Sequence, residues 1–210
     1  MAPQSKPVSP RAIDDLIAAG RLFHQRGWVP ATAGNFSVRV DAKSALVTVS
    51  GRHKGELTPA DFLHVDLRGR PLAKGGKPSD ETLLHCQIYR AAKDAGAVLH
   101  THSTASTVLS RRCDNVRLAG YELLKIFEGI KTHEAAVEVP VFDNDQDIAR
   151  LSGGVEASMK AGSARHAYLI RGHGLYTWGR TAAEARYRVE ALEFLFECEL
   201  RADSGQGRQP

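Results

Sequence analysis

Ala97-Val-Leu-His-Thr-His102 reads as a β-strand that ends in two histidines on one face. Successive strand side chains alternate between faces, so His100 and His102 share a side and Thr101 takes the other. Two imidazoles so placed can bring ring nitrogens to about 2.0–2.1 Å from one divalent metal. The apolar run 97–99 buries the base of the strand and leaves the histidines at its end. A pair of hydrogen-bonded structural histidines would show the same spacing, so a third ligand has to decide. His173 offers one. It stands in Gly172-His-Gly174, a tight turn between apolar runs, where a histidine also serves as a plain turn residue. A catalytic zinc takes three protein ligands and keeps one position open.

Around this strand the chain alternates short β-like runs with helical ones. Residues 36–40 and 46–49, joined by Asp41-Ala-Lys-Ser44, predict a hairpin; 63–67, 137–142, 167–170 and 175–178 read as further strands. Helical spacing covers 80–93, 104–110, 120–127 and 146–159. Ser9-Pro10 opens the first helix, with a capping hydroxyl and a proline at the first helical position, and Gly27 stops it. Thr181 and Glu184 form a capping box for the last, which runs to about Arg201 with Val189, Leu192, Leu195, Phe196 and Leu200 inward. Hairpin-like joins without strict β-α-β alternation predict a layered α/β sandwich, not an all-parallel sheet. One domain over 9–202 is expected, with polar flexible tails at 1–8 and 203–210.

The composition narrows the chemistry. A formal charge of +4 arises from 28 basic residues dispersed among 24 acidic ones, without the stripe that binds nucleic acid, so no nucleic-acid partner is expected. No apolar run approaches a membrane span and the N-terminus lacks a signal-peptide core, so a cytoplasmic protein without a membrane partner is expected. Cys86, Cys113 and Cys198 are odd in number and far apart, which indicates neither a disulfide framework nor a thiolate zinc site. No glycine-rich dinucleotide or Walker loop is present.

Pro78-Ser-Asp-Glu81 brings a loop to a helix N-terminus, where free N–H groups and a hydroxyl suit an anion. Glu81 at that place also simply complements the helix dipole. Gly34-Asn35-Phe-Ser37 and Ser50-Gly51 are small polar turns, and three such loops in one chain suggest phosphate binding. Glu122, in Gly120-Tyr-Glu-Leu-Leu-Lys125, reads by itself as a solvated helix-face residue.

Thr32-Ala-Gly-Asn-Phe-Ser37, Val49-Ser-Gly51, Pro78-Ser79 with Glu81, His100-Thr-His102 and Arg171-Gly-His-Gly174 together resemble the class II aldolase/adducin family over nearly the whole chain. The resemblance implies a three-layer α/β/α sandwich around a central mixed, largely antiparallel sheet. It implies one Zn2+ per subunit on His100, His102 and His173, substrate-phosphate contacts from Asn35, Ser50, Gly51 and Ser79, and a homotetramer. Gly120-Tyr-Glu-Leu-Leu-Lys125 with Glu128-Gly-Ile130, Val139-Pro-Val141 and the run 171–179 are similar to the branch that dehydrates 5-methylthioribulose 1-phosphate, a lyase step of methionine salvage. In that branch the glutamate matching Glu122 is the expected acid/base. In the aldolases the one matching Glu81 takes the part. This chain carries both, whereas some of those dehydratases have cysteine at the Glu81 position. The family also contains sugar-phosphate aldolases and 4-epimerases of the fuculose and ribulose type, and the adducin scaffold, which need not keep three ligands and a carboxylate.

Overall fold

The computed structural model of the chain describes residues 10–73 and 76–206. The Ser9 cap, the N-terminal tail and residues 207–210 lie outside the described residues. In chain order the elements are α1 (Pro10–Gln25), β1 (Asn35–Arg39), β2 (Ser44–Thr48), β3 (Phe62–Asp66), α2 (Thr82–Ala91), β4 (Ala97–Thr101), α3 (Thr104–Leu109), β5 (Asn115–Ala119), β6 (Ala136–Phe142), α4 (Ile148–Lys160), β7 (Ala167–Ile170), β8 (Gly174–Gly179) and α5 (Ala182–Gln206). Short 3-10 turns occupy Lys54–Glu56, Pro59–Asp61 and Glu122–Ile126.

Eight strands form one sheet in the order β3-β2-β1-β4-β8-β7-β6-β5. Every neighbouring pair is antiparallel except β6 and β7, which α4 joins as a single β-α-β unit. The expected hairpin is β1–β2, where the Asp41 carboxylate accepts the Lys43 N–H at 2.7 Å and the Ser44 hydroxyl at 2.9 Å.

Alternation along the strands sorts the core into two halves. Ala97 and Leu99 of β4, with Phe36 and Val38 of β1, meet Leu16 and Phe23 of α1 and Ala185 and Val189 of α5. Val98, facing the other way, joins Tyr168, Tyr176 and Trp178 beneath Leu84, Ile88 and Tyr89 of α2 and Leu151 and Val155 of α4. Helices therefore cover both faces of the sheet, as expected: α1, α3 and α5 on one, α2 and α4 on the other. No helix among the described residues is long and apolar enough to cross a membrane.

Three elements differ from the sequence-based expectation. β5 was not expected: it is an edge strand with only Val116 and Leu118 buried, too short an alternation to stand out. Residues 120–127 are not an α-helix but a turn followed by the 3-10 segment Glu122–Ile126. Its two anchors, Leu124 and Phe127, are three residues apart and both pack under α5, the spacing a 3-10 turn presents on one side. The last helix continues through Gln206, past the expected end, where no proline intervenes.

Candidate metal and phosphate site

The ends of β4, β8 and α2 meet at one point. His100, His102, His173 and Glu81 each bring one donor atom to a cluster in which all four lie within 4.8 Å of one another. His100 and His102 share the α2 face of β4, as their spacing requires. His173 reaches them from the turn before β8, held by its N–H to Ile170 carbonyl at 3.0 Å and by the Thr107 hydroxyl on its own carbonyl at 3.0 Å. Gly174 lets this turn lie against β4, because a Cβ there would sit 2.0 Å from the Thr101 carbonyl oxygen. Gly174→Ala is accordingly expected to push His173 out of the cluster and to weaken metal retention, read as metal bound per chain. Metal content equal to the parent's would show that the turn tolerates the shift.

Glu81 begins α2 but makes no side-chain cap bond. Its carboxylate is turned to the histidines instead: Oε1 lies 2.8 Å from His173 Nε2 and Oε2 3.4 Å from His100 Nε2. The Asn35 amide donates to the same Oε2 at 2.5 Å. A relay of buried groups orients that amide. The Tyr89 hydroxyl meets Ser37 Oγ at 2.7 Å, Ser37 Oγ meets His85 Nδ1 at 2.7 Å, and His85 Nε2 binds Asn35 Oδ1, which leaves the Asn35 N–H groups for Glu81. His85 is wholly buried and burial pulls it down to about 3, against the charge of Glu81, so it works as a neutral ring.

The donor set fits a divalent cation. His100 is fully buried, and desolvation holds it well below the ordinary imidazole range despite Glu81 nearby. As a neutral ring it has one N–H, which Nδ1 donates to the Leu175 carbonyl at 2.8 Å. Its Nε2 is therefore a lone pair, yet it faces His102 Nε2 at 2.7 Å and His173 Nε2 at 3.2 Å. Burial, with His173 and Lys54 adding to it, also pulls His102 down to about 4. Lone pairs and a carboxylate converging on one buried point call for positive charge between them. Burial alone would raise the Glu81 carboxyl, but His100, His173 and Asn35 outweigh it and hold the group well below the usual carboxylate range.

Thr101, between the two histidines, faces the opposite side of the sheet. Its hydroxyl donates at 2.6 Å to Glu193 of α5, a carboxylate 2% exposed. Burial raises Glu193 to about 7 against the pull of the Ser103 and Thr101 hydroxyls. A raised carboxyl favours the fold while protonated, so its contribution is present below about 4.5 and is lost as pH climbs through 7. The stability advantage of Glu193→Gln over the parent should then grow by about 3 kcal/mol between pH 4.5 and 8. Denaturant melts across that window check it; a difference that does not vary with pH would contradict it.

Beside the metal cluster lies a cavity of about 260 Å³ that Asn35, Ser50, Gly51, Ser79, Glu81 and His102 help to line. The three loops expected to bind phosphate thus converge. Gly34 turns the first of them at φ 78°, and a Cβ there would lie 2.6 Å from the His100 carbonyl oxygen. Glu122 is elsewhere. Its side chain is 72% exposed and ion-paired with Lys125, in the 3-10 turn packed on α5, across the sheet from Glu81. Within one chain the structure brings Glu81, and not Glu122, to the histidines.

The sequence profile of the class II aldolase and adducin N-terminal domain matches residues 14–200. The chain belongs to this family. Within it, the methylthioribulose-1-phosphate dehydratase of Pseudomonas syringae pv. tomato is 55% identical over 189 residues, 89% of this chain and 93% of that protein. The dehydratase of the same name from Pseudomonas paraeruginosa is 57% identical over 188 residues, 89% and 92% of the two chains. Among solved structures, L-fuculose-1-phosphate aldolase from Thermus thermophilus superposes with a TM-score of 0.78 at 28% identity, covering 95% of this chain and 98% of that one. The class II fold, with its metal cluster and polar loops on the α2 side of the sheet, is the frame for the function.

Sequence reasoning missed His85, Lys54 and Glu193. Glu81 and His85 are four residues apart and so share one face of α2, a signal that the spacing does contain. Lys54 and Glu193 carry no such mark.

Proposed function

We propose that the chain is a zinc-dependent methylthioribulose-1-phosphate dehydratase, a hydro-lyase of methionine salvage working in the cytoplasm. It converts 5-methylthioribulose 1-phosphate to 2,3-diketo-5-methylthiopentyl 1-phosphate. The observation that carries this reading is the identity of 55–57% over 89% of the chain to proteins of that name. The intact histidine–glutamate cluster weighs against a scaffold role.

His100, His102 and His173 would hold the metal, and three imidazoles with a carboxylate suit zinc. A divalent cation there supplies Lewis-acid polarisation of the substrate carbonyl, which acidifies the adjacent C–H. The chain's own groups do the rest. Asn35, Ser50, Gly51 and Ser79 offer neutral N–H and O–H donors to the phosphate and fix the substrate's register. A carboxylate takes the proton from C3; the C4 hydroxyl gains a proton and leaves as water. The resulting enol takes a proton at C4 and becomes the ketone at C3, so the balance is loss of one water.

Glu122 is the proposed proton carrier, with Glu81 the alternative. Since Glu122 lies across the sheet from its own histidines, it serves the site of another copy in a homotetramer. Next to it, Leu123, Tyr187 and Phe194 are 38%, 50% and 54% exposed around one groove, large apolar side chains of the kind that subunit contacts cover. Mass spectrometry of the zinc-loaded protein with 5-methylthioribulose 1-phosphate tests the function. A product lighter by one water supports it. An unchanged substrate, with zinc confirmed in place, moves the reading to an aldolase or 4-epimerase, which Glu81 among the histidines would favour.

A further inference from the structure

Lys54 is buried where a lysine is costly. It is 2% exposed, in the 3-10 turn Lys54–Glu56 that packs directly on α1. Gly20 permits that approach, since a Cβ on it would lie 2.2 Å from the Lys54 carbonyl oxygen. The ammonium donates to the Thr32 carbonyl at 2.7 Å and the Arg52 carbonyl at 2.6 Å. Those carbonyls belong to the two loops that carry Asn35 and Ser50-Gly51, so one side chain ties the two together.

Its charge is not neutralised by the fold. No carboxylate among the described residues pairs with Nζ; the field of Glu81 favours its charge, but burial outweighs it. Removing an ammonium from water without an opposite charge is unfavourable by several kcal/mol, and two carbonyl dipoles compensate only in part. An ammonium has three N–H donors, and two are used. Lys54 also helps to line the cavity of about 260 Å³ and is the one lysine or arginine among its described lining residues. Every other phosphate donor proposed there is neutral.

We infer that Lys54 is the charged phosphate-binding residue of this cavity, its third N–H completing the cradle made by Asn35, Ser50, Gly51 and Ser79. The inference rests on the proposed phosphate site but not on the reaction that follows binding. It gives the buried ammonium its counter-charge only when ligand is present. It also makes the two loops close on the phosphate as a unit, because the group that binds it is the group that ties them.

The test is calorimetric titration of inorganic phosphate into the zinc-loaded protein and its Lys54→Gln variant. Glutamine keeps an N–H donor for the loops and removes the charge. Loss of a charge-assisted hydrogen bond should weaken phosphate binding by about 10- to 100-fold with zinc content unchanged. Phosphate affinity equal to the parent's would overturn the inference. Should the variant fail to fold, 15N-lysine-labelled parent protein gives the same answer. The Lys54 Nζ signal, set apart by slow exchange with water, should move on adding phosphate, and a signal that stays put at saturation would overturn it. Phosphate binding that depends on Lys54 without any dehydration would leave this inference standing and sink the proposed activity. Dehydration with phosphate affinity indifferent to Lys54 would do the reverse.

Discussion

His100→Ala is expected to empty the metal site and lower turnover by at least about a thousandfold. A metal acting as Lewis acid contributes several kcal/mol to lowering the barrier, and each ~1.4 kcal/mol is a factor of ten. His100 is the ligand held most firmly in position. Its ring is stacked on Tyr176 at 3.9 Å between centroids, and its Nδ1–H is committed to the Leu175 carbonyl. Nothing nearby can replace that fixed orientation, and changes to the groups that merely orient a ligand already cost about 10- to 100-fold in metal affinity. Metal analysis of the purified variant, alongside its kcat, checks the expectation. Zinc bound as tightly as in the parent would remove the histidine cluster from the account.

Glu122→Gln should keep its zinc and lose about 10²- to 10⁴-fold in kcat, the usual effect of removing a positioned general acid or base. In the single chain Glu122 is exposed, and its hydrogen bond to Lys125 holds it below the ordinary carboxylate range. Burial against another copy would raise it toward neutrality, where a proton carrier works best. The reading therefore predicts complementation. A His100→Ala subunit retains Glu122 and a Glu122→Gln subunit retains the metal site, so oligomers mixed from the two inactive variants should recover activity. Mixed oligomers that form and stay inactive would contradict action between copies. If Glu122→Gln turns over near the parental rate while Glu81→Gln does not, the role passes to Glu81, which already touches His100 and His173.

The histidine pair at the end of β4 was legible because strand alternation is a local rule: spacing alone put His100 and His102 on one face. The layered α/β class was legible for the same reason, from runs such as Ala97–Thr101 buried at every position between helices. What spacing could not carry was the third dimension. Lys54 in sequence is a lysine in a turn, ordinarily solvated; only the packing of its turn on Gly20 of α1 makes it a buried cation. Glu193 looks like one more helix-face acid until α5 lays it under Thr101. Glu81 read in sequence as a partner of the helix dipole and, by resemblance, as the aldolase acid/base; that its carboxylate makes no cap bond and turns to His173 and His100 shows only in the packing. Glu122 shows the converse. The motif around it marks a branch of the family, but in the single chain its carboxylate lies across the sheet from the histidines, so the proposed role requires a second copy of the chain.

The most direct measurement is NMR of 5-methylthioribulose 1-phosphate turned over in D2O by the zinc-loaded protein. The account predicts that the C3 proton signal disappears, C3 becomes a second carbonyl beside C2, and C4 becomes a methylene carrying solvent deuterium. Cleavage into dihydroxyacetone phosphate and methylthioacetaldehyde, or inversion at C4 with the skeleton intact, would contradict it and place this site among the aldolases or epimerases of the same fold.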